Sequence, residues 1–387
     1  MQPDRVDLLI VGAGPVGLAL ALALRDSGLR IALADARPRE AVAADPRVLA
    51  LAHGTRLGLE RLGVWKALTA TPIETIHVSQ QGGFGRSMLR ATDYELPALG
   101  YVASAGALAG VMRAAVDAAG IPVFDSTQVG ALTPTADGIT ATLVGATEGR
   151  LDARLAACAE GNLQSDAGDV VEHDYGQHAL ISVATPAAPH RQLAFERFTA
   201  DGPLALLPYG RDYAVVHVTP PARADALLAL DTAAYRQVLQ DRIGDRVHLA
   251  AVGERLRYPL LLRYRRNPVG ERTVWLGNAA QTLHPVAGQG FNLALRDVCG
   301  LADTLLDAAR QPGFDPGAPA LLAEHARRRR LDRFGTIRFT DGLVRLFSND
   351  LAPLRHARGA GLFLLDVCPP LRHFVARRMM FGARAWP

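Results

Sequence analysis

One stretch constrains the fold more than any other, and it lies at the start of the chain, from Val6 to Asp35. It reads Val6-Asp7-Leu8-Leu9-Ile10-Val11, then Gly12-Ala13-Gly14-Pro15-Val16-Gly17, an uncharged run to Leu24, and a second apolar run from Ile31 to Asp35. That order predicts strand, glycine turn, helix and strand, with an acid closing the second strand. Gly12 permits a tight turn, Gly14 lets a pyrophosphate approach the backbone, and Gly17 lets the helix lie close on the sheet. Pro15 and Val16 open the helix, whose N-terminus offers free N–H groups and partial positive charge to phosphates. Asp35 follows Gly17 by 18 residues, where a carboxylate can accept the hydroxyls of an adenosine ribose. The stretch predicts a dinucleotide site without saying whether the nucleotide is FAD or NAD.

A competing reading is a signal peptide or membrane helix, because Leu8 to Leu24 carries no charge. Three glycines and a proline inside that run make a poor span, and a span needs about 20 residues. No other targeting or lipidation signal is evident, so the expected location is the cytoplasm or the periphery of the inner membrane.

A chain of 387 residues can hold one large or two ordinary domains. With 49% hydrophobic and 21% charged residues it reads as a globular protein with a substantial core. The net charge of +4 and the lack of a basic stripe with interleaved aromatics argue against nucleic acid as a partner. Cys158, Cys299 and Cys368 are far apart and without metal-ligand spacing, so buried free thiols and no metal site are expected.

Along the chain, Arg37 to Asp45 is a Pro/Ala-rich loop, and Gly54 to Leu62 reads as a short helix ended by Gly63. Arg47 could reach the nucleotide or sit idle beside a proline turn. Ile73, Ile76 and Val78 suggest a strand, with a turn at Gly82 to Gly85 and a further strand near Met88. Ala105 to Ala119 is helical, and Val123 to Leu155 holds two or three strands. Val171 to Pro220 reads as antiparallel sheet, and Thr232 to Ile243 as helix. Thr273 to Gly277 is a buried strand running into Asn278 and the loop His284-Pro285-Val286-Ala287-Gly288-Gln289-Gly290-Phe291-Asn292, with a helix to about Leu306. The backbone N–H groups of that loop can meet an electron-rich group, while Asn292 alone could be a plain helix cap. His284 reads as a loop-packing residue. The arginines from Arg327 to Arg333 read as a solvated helix face. Gly342 to Ala385 is apolar with scattered arginine, compatible with a membrane-surface or partner-facing helix.

Three separated stretches together resemble the FAD-dependent aromatic hydroxylases: Gly12 to Gly17 with Asp35, the Arg47 region, and Gly277-Asn278-Ala279-Ala280 with Gly288 to Asn292. The resemblance runs nearly the whole chain. It looks closest to the ubiquinone-biosynthesis branch, through Asp45-Pro46-Arg47-Val48-Leu49-Ala50-Leu51, Ile76 to Ser79, Tyr175-Gly176-Gln177, Phe195-Glu196-Arg197-Phe198-Thr199 and Gly202 to Pro208. Asn278 and Gln281, where most relatives carry Asp and His, are similar to a variant within that branch.

The resemblance implies an α/β fold, with a Rossmann-like FAD-binding domain, an inserted β-rich substrate domain and C-terminal helices. The implied division is 1–70, 100–170 and 270–330 for FAD, 71–99 and 171–269 for substrate, and 331–387 for the helices. FAD's adenosine would sit on Asp35 beside Arg37, its pyrophosphate on Gly12, Gly14, Pro15, Val16 and Gly17 near Arg47 and Asn278, and its ring over Gly288, Gln289 and Gly290, next to Asn292. NADPH would be the reductant and O2 the co-substrate, with oxygen transferred to an electron-rich, lipophilic phenol, namely a polyprenylated methoxyphenol. Pro285 and Gln289 are the implied catalytic-site residues, in positional roles; no acid or base is assigned. The implied partners are a membrane surface or a quinone-synthesis complex, with a homo-oligomer left open. One motif departs: relatives read Asp-Gly-x-x-Ser where this chain has Glu160-Gly161-Asn162-Leu163-Gln164, with Ser165 displaced by one. Each lost neutral hydrogen bond there costs about 1 kcal/mol. Two alternatives remain: a flavin hydroxylase acting on another ring position or a soluble phenol, and a non-catalytic subunit of a quinone-synthesis complex.

Overall fold

The computed structural model describes residues 5–163, 169–347 and 352–383. Gln164 and Ser165, the end of the altered motif, lie outside them. β1 (Arg5–Val11) turns at Gly12 into α1 (Pro15–Leu24), and β2 (Ile31–Ala34) returns parallel beside β1. Leu18, Leu20, Leu22 and Leu24 are all buried. A helix that is apolar all round must be covered all round, so the uncharged run is a core helix. α2 (Arg39–Ala43), β3 (Val48–Ala52) and α3 (His53–Arg61) follow, and Gly63 at φ 80° stops the last of these.

β4 (Thr71–Ile73), β5 (Thr75–Gln80), β6 (Arg86–Arg90) and β7 (Gly100–Ser104) lead to α4 (Ala105–Ala118), capped by the Ser104 hydroxyl. Where two or three strands were expected there are four: β8 (Val123–Phe124), β9 (Thr127–Thr135), β10 (Gly138–Gly145) and β11 (Gly149–Cys158). An antiparallel block follows, β12 (Val170–Pro186), β13 (Leu193–Thr199), β14 (Gly202–Tyr209) and β15 (Asp212–Thr219). Then come α5 (Pro221–Leu228), α6 (Thr232–Ile243), β16 (Leu249–Val252) and β17 (Leu256–Arg265). The short strands β18 (Val269–Gly270), β19 (Thr273–Trp275) and β20 (Gln281–Thr282) precede four helices. These are α7 (Gln289–Ala309), α8 (Pro319–Phe347), α9 (Ala352–Val367) and α10 (Pro369–Phe381).

The first sheet runs β18-β19-β11-β1-β2-β8, with β10 and β9 added beside β11. α1, α4 and α7 bury Leu8, Ile10, Leu33 and Leu155 on one face; β9 and β10 help bury Leu9, Val11 and Ala156 on the other. Burial on both faces is why β1 and β2 read as unbroken apolar runs. The second sheet runs β20-β17-β12-β15-β14-β13-β5-β6, antiparallel except where β13 meets β5. Side chains alternate between its faces. Leu180, Phe195, Leu204 and Val215 pack beneath α5 and α6, and the opposite face lines a cavity. β3, β7 and β4 form a small sheet of their own.

The arginine run on α8 corrects the expected solvated face. Arg327 and Arg330 are exposed, but Arg329 and Arg333 are buried. Arg329 donates to Asp297 at 2.7 Å and to Asp332 at 2.5 Å. Arg333 donates to Gln281 Oε1 at 2.6 Å and to the Arg265 carbonyl at 2.7 Å. Positions four apart share a helix face, so both point inward and clamp α8 onto α7 and β20. Cys158 is buried, whereas Cys299 and Cys368 are only half-buried, and all three are free thiols.

Candidate active site

The glycine stretches meet where β1, β11 and β19 end side by side, with Val11 beside Cys158 and Cys158 beside Trp275. Gly12 turns at φ 106°, and a Cβ there would lie 2.6 Å from the Ala159 carbonyl oxygen. At Gly17 a Cβ would meet the Gly12 carbonyl oxygen at 1.9 Å. Gly277, at φ 58°, has Val16 against it, where a Cβ would fall 3.0 Å from that side chain. No side chain caps α1 at Gly14, and Pro15 opens its first turn, so the turn's N–H groups and partial charge face outward.

Asp35 closes this cradle. Its Oδ2 accepts the Ala13 N–H at 2.7 Å and Arg37 Nη2 at 2.9 Å, and its Oδ1 accepts the Arg37 N–H and Nε at 2.9 and 3.0 Å. Burial would push the Asp35 carboxyl up, but these bonds and the Arg37 charge outweigh it and hold the group below the usual range. Arg37 also overhangs the loop, its Nη2 3.6 Å from where a Gly14 Cβ would stand. A carboxylate offers about four acceptor positions, and Ala13 and Arg37 occupy all of them here, so any further donor would have to displace Arg37. Asn278 is half-buried, with no hydrogen bond from its side chain to the described residues.

The second group of expected residues gathers around β3. Arg47 is paired with Asp45, Nε to Oδ1 at 2.9 Å and Nη2 to Oδ2 at 2.5 Å, and is half exposed. Ala50, three residues on, touches Gly288, where a Cβ would lie 2.8 Å from the Ala50 Cβ. Asn292 ties the two segments. Its Oδ1 accepts the Ala52 N–H at 2.8 Å and the Thr55 hydroxyl at 2.6 Å, and its Nδ2 donates to the Ala50 and Gly288 carbonyls at 2.9 and 2.7 Å. The plain-cap reading of Asn292 is therefore corrected: α7 starts at Gln289 after Gly288, and Asn292 is a cross-brace in its first turn.

Ala287 and Gly288 are both left-handed, φ 61° and 59°, and swing the loop into α7. The Gln289 amide donates to the Ala287 and Met379 carbonyls at 3.2 and 3.3 Å, fastening the loop to α10. Gly290 has open space where a Cβ would stand. His284 packs edge-on against Tyr175 and its Nδ1 accepts the Val286 N–H at 3.1 Å; burial lowers its pKa to about 4, so it is neutral. It holds the loop.

Pro285, Gly288, Gln289 and Asn292 border one cavity of 260 Å³. The cavity face of the second sheet forms a wall opposite, through Val78, Ala205, Leu207 and Val218. Phe339 and Leu343 of α8, Leu362 and Leu365 of α9, and Val375 and Met379 of α10 close it. Sequence reasoning missed Ala50 and Ala52 as the seat of the loop, and the entire contribution of α10. Alternation in the Phe195 to Pro208 region could have marked which residues face inward; nothing local marks α10.

The residues from 5 to 331 match the model of the FAD-binding domain family. The chain is 35% identical to the ubiquinone hydroxylase UbiL of Rhodospirillum rubrum, over 99% of its own length and 92% of the relative's. It is 31% identical to the 3-demethoxyubiquinol 3-hydroxylase of Escherichia coli, over 95% and 96% of the two chains. The chain belongs to the FAD-dependent ubiquinone hydroxylases. Its fold is also that of the p-nitrophenol 4-monooxygenase PnpA of Pseudomonas putida, with a TM-score of 0.77 at 17% identity, over 99% and 100% of the chains.

The residues of this hydroxylase fit FAD. The cradle that excludes a Cβ at Gly12 and Gly17, the unpartnered Asn278 amide and the Asp35 carboxylate suit a pyrophosphate and ribose, and the Pro285 to Gly290 loop borders an apolar space sized for a ring. When bound, FAD accepts a hydride from NAD(P)H and activates O2, which no side chain here can do. The protein's part is to hold Asp35 ionised, brace the loop through Asn292 and Gln289, and keep water from the apolar cavity.

Proposed function

We propose that this enzyme hydroxylates 2-polyprenyl-6-methoxyphenol at the carbon para to the phenol oxygen during ubiquinone biosynthesis, with NADPH and O2. The observation that carries the substrate class is the cavity, whose walls on the sheet, α8, α9 and α10 are aliphatic and aromatic apart from Ser87, Glu196 and Arg372. Burying a prenyl tail there gains about 0.8 kcal/mol for each CH2 removed from water. A soluble phenol would leave most of that surface unused. The names of the relatives, a ubiquinone hydroxylase and a 3-demethoxyubiquinol 3-hydroxylase, support the same class. Within this reading Gly12, Gly14, Pro15, Val16, Gly17, Asp35, Arg37, Arg47 and Asn278 serve the adenosine and pyrophosphate, and Gly288, Gln289, Gly290 and Asn292 the flavin ring. Pro285 and Gln289 position it. The two large sheets are the FAD-binding and substrate halves.

The enzyme meets its substrate at a membrane surface. Phe363, Leu364, Val367, Leu371 and Phe374 are exposed on α9 and α10, beside Arg377, Arg378 and few acids. Among the described residues no helix is long and apolar enough to cross a membrane, so an interfacial hairpin with basic flanks is the fitting mode. The deciding assay follows oxygen-dependent NADPH consumption with a short-tailed 2-prenyl-6-methoxyphenol and locates the new hydroxyl. Product hydroxylated para to the phenol oxygen is expected. Hydroxylation elsewhere on the ring would refute the assignment. Protein without flavin absorption, and with no rise in melting temperature on adding FAD, would favour a non-catalytic subunit.

A further inference from the structure

Among the described residues that line the cavity, Glu196 is the one carboxylic acid. Its placement follows from strand register. On β13 it sits opposite Val78 of β5 and Ala205 of β14, and Ala205 in turn sits opposite Val216 of β15. Val78, Ala205 and Val216 all line the cavity, so Glu196 is flanked by aliphatic residues on both neighbouring strands, and the next polar member of its row is Ser87 on β6, beyond Val78. β13 is an inner strand, hydrogen-bonded to β5 and β14, so the backbone under Glu196 is fixed. Its carboxyl has no hydrogen-bond or ion-pair partner among the described residues.

The neighbouring charges do not explain it. Arg197 and His77 project from the other face of the sheet; Arg197 bonds the Ser79 hydroxyl and His77 packs on Phe195. Among the described residues the one other ionisable side chain lining the cavity is Arg372 of α10; its Nη1 donates to the Asp366 carbonyl at 2.8 Å, its buried Nε has no partner among the described residues, and it forms no ion pair with Glu196. An acid in an apolar wall with no counter-charge costs stability, and no structural partner offsets that cost.

We infer that Glu196 is the proton acceptor for the phenolic O–H of the substrate. This rests on the hydroxylase reading above. A phenol ring attacks an electrophilic oxygen through its para carbon more readily as its O–H proton departs. The ring supplies the electron pair of the new C–O bond, and the O–O bond breaks. The phenolic proton passes to the Glu196 carboxylate. The ring proton then leaves and neutralises the departing hydroxide equivalent as water, while Glu196 returns its proton to the phenol oxygen. NADPH supplies the two electrons, and the carboxyl ends the cycle as it began. Burial pushes the Glu196 carboxyl up to about 7, near working pH, where a general base is most effective.

The test compares the FAD-loaded wild type with its Glu196→Gln and Glu196→Asp variants from about pH 5 to pH 9. FAD affinity, NADPH oxidation, peroxide release and hydroxylated product are measured. Glu196→Gln should bind FAD within about twofold of wild type and still oxidise NADPH, while product per NADPH falls about 100-fold and peroxide takes its place. The acid limb of wild-type coupling should vanish in Glu196→Gln and persist, shifted, in Glu196→Asp. A nitro-substituted analogue that ionises unaided should restore coupling to Glu196→Gln. Unchanged coupling and acid limb in Glu196→Gln, or an equal defect with the ionised analogue, would overturn the inference and leave the hydroxylase reading standing. Loss of FAD binding in Glu196→Gln would assign the residue to the fold and overturn it too. Absence of product from the wild type with any prenylated phenol would overturn the reading beneath it.

Discussion

Asn292 shows how much one side chain can organise. Its four hydrogen bonds join Ala50, Ala52, Thr55 and Gly288, residues some 240 positions apart. Asn292→Ala leaves two carbonyls, an N–H and the Thr55 hydroxyl short of partners, at about 1 kcal/mol or less each where water or a second bond compensates. We expect a loss of about 2 to 4 kcal/mol in urea unfolding, with weaker flavin fluorescence quenching on titration. Full stability and full affinity would refute the brace. At Asp35 the expectation concerns the ribose. Asp35→Ala strips a charged acceptor from Ala13, Arg37 and the nucleotide, and charge-assisted bonds are worth about 1.5–3 kcal/mol. FAD affinity should fall about tenfold or more, read by fluorescence titration; unchanged affinity would move the ribose elsewhere. Asp35 was legible because glycine spacing, strand and acid lie within one short stretch. Glu196 was not, since only the pairing of β13 with β5 and β14 shows which face it occupies.

Among the elements, α8 carries the least expected chemistry. Asp332 accepts from Arg329 at 2.5 Å and from Arg296 at 2.8 Å, and its Oδ1 accepts the Ala383 N–H at 2.7 Å. Burial would raise its pKa, but Arg296, Arg329 and the Ala383 bond lower it from 3.8 to about 2. A depressed folded pKa means the stabilisation is present above the unfolded value and is lost as pH falls through the folded one. Wild type should therefore lose roughly 2 kcal/mol from this group between about pH 4 and pH 2, at 1.36 kcal/mol per unit. Asp332→Asn should lack that part of the acid limb in urea titrations, and an identical limb would refute it. α9 and α10 supply the other element-level expectation. Phe363→Asp with Phe374→Asp should abolish flotation with phosphatidylglycerol vesicles, while activity on a short-tailed phenol stays within about twofold. Wild-type protein that fails to float with such vesicles would refute the membrane surface.

For the molecule as a whole, FAD is expected to span two groups of residues: the cradle on the first sheet and the loop that starts α7. Ligand that binds only the folded state stabilises by about 2.7 kcal/mol at a hundredfold excess over Kd. A rise in melting temperature with FAD concentration should follow. The sequence by itself determined the parallel nucleotide sheet, since both-face burial leaves unbroken apolar strands and a glycine turn that only certain backbones can make. It also determined the antiparallel block and the family, because those motifs are local. Only the tertiary structure decided that Arg329 and Arg333 are buried, that Asn292 braces β3, and that α10 closes the cavity. It alone decided that Glu196 faces inward. Each of these depends on which distant segment packs against the residue, and no local spacing encodes that. Burial and partnership, not residue type, set what these side chains do.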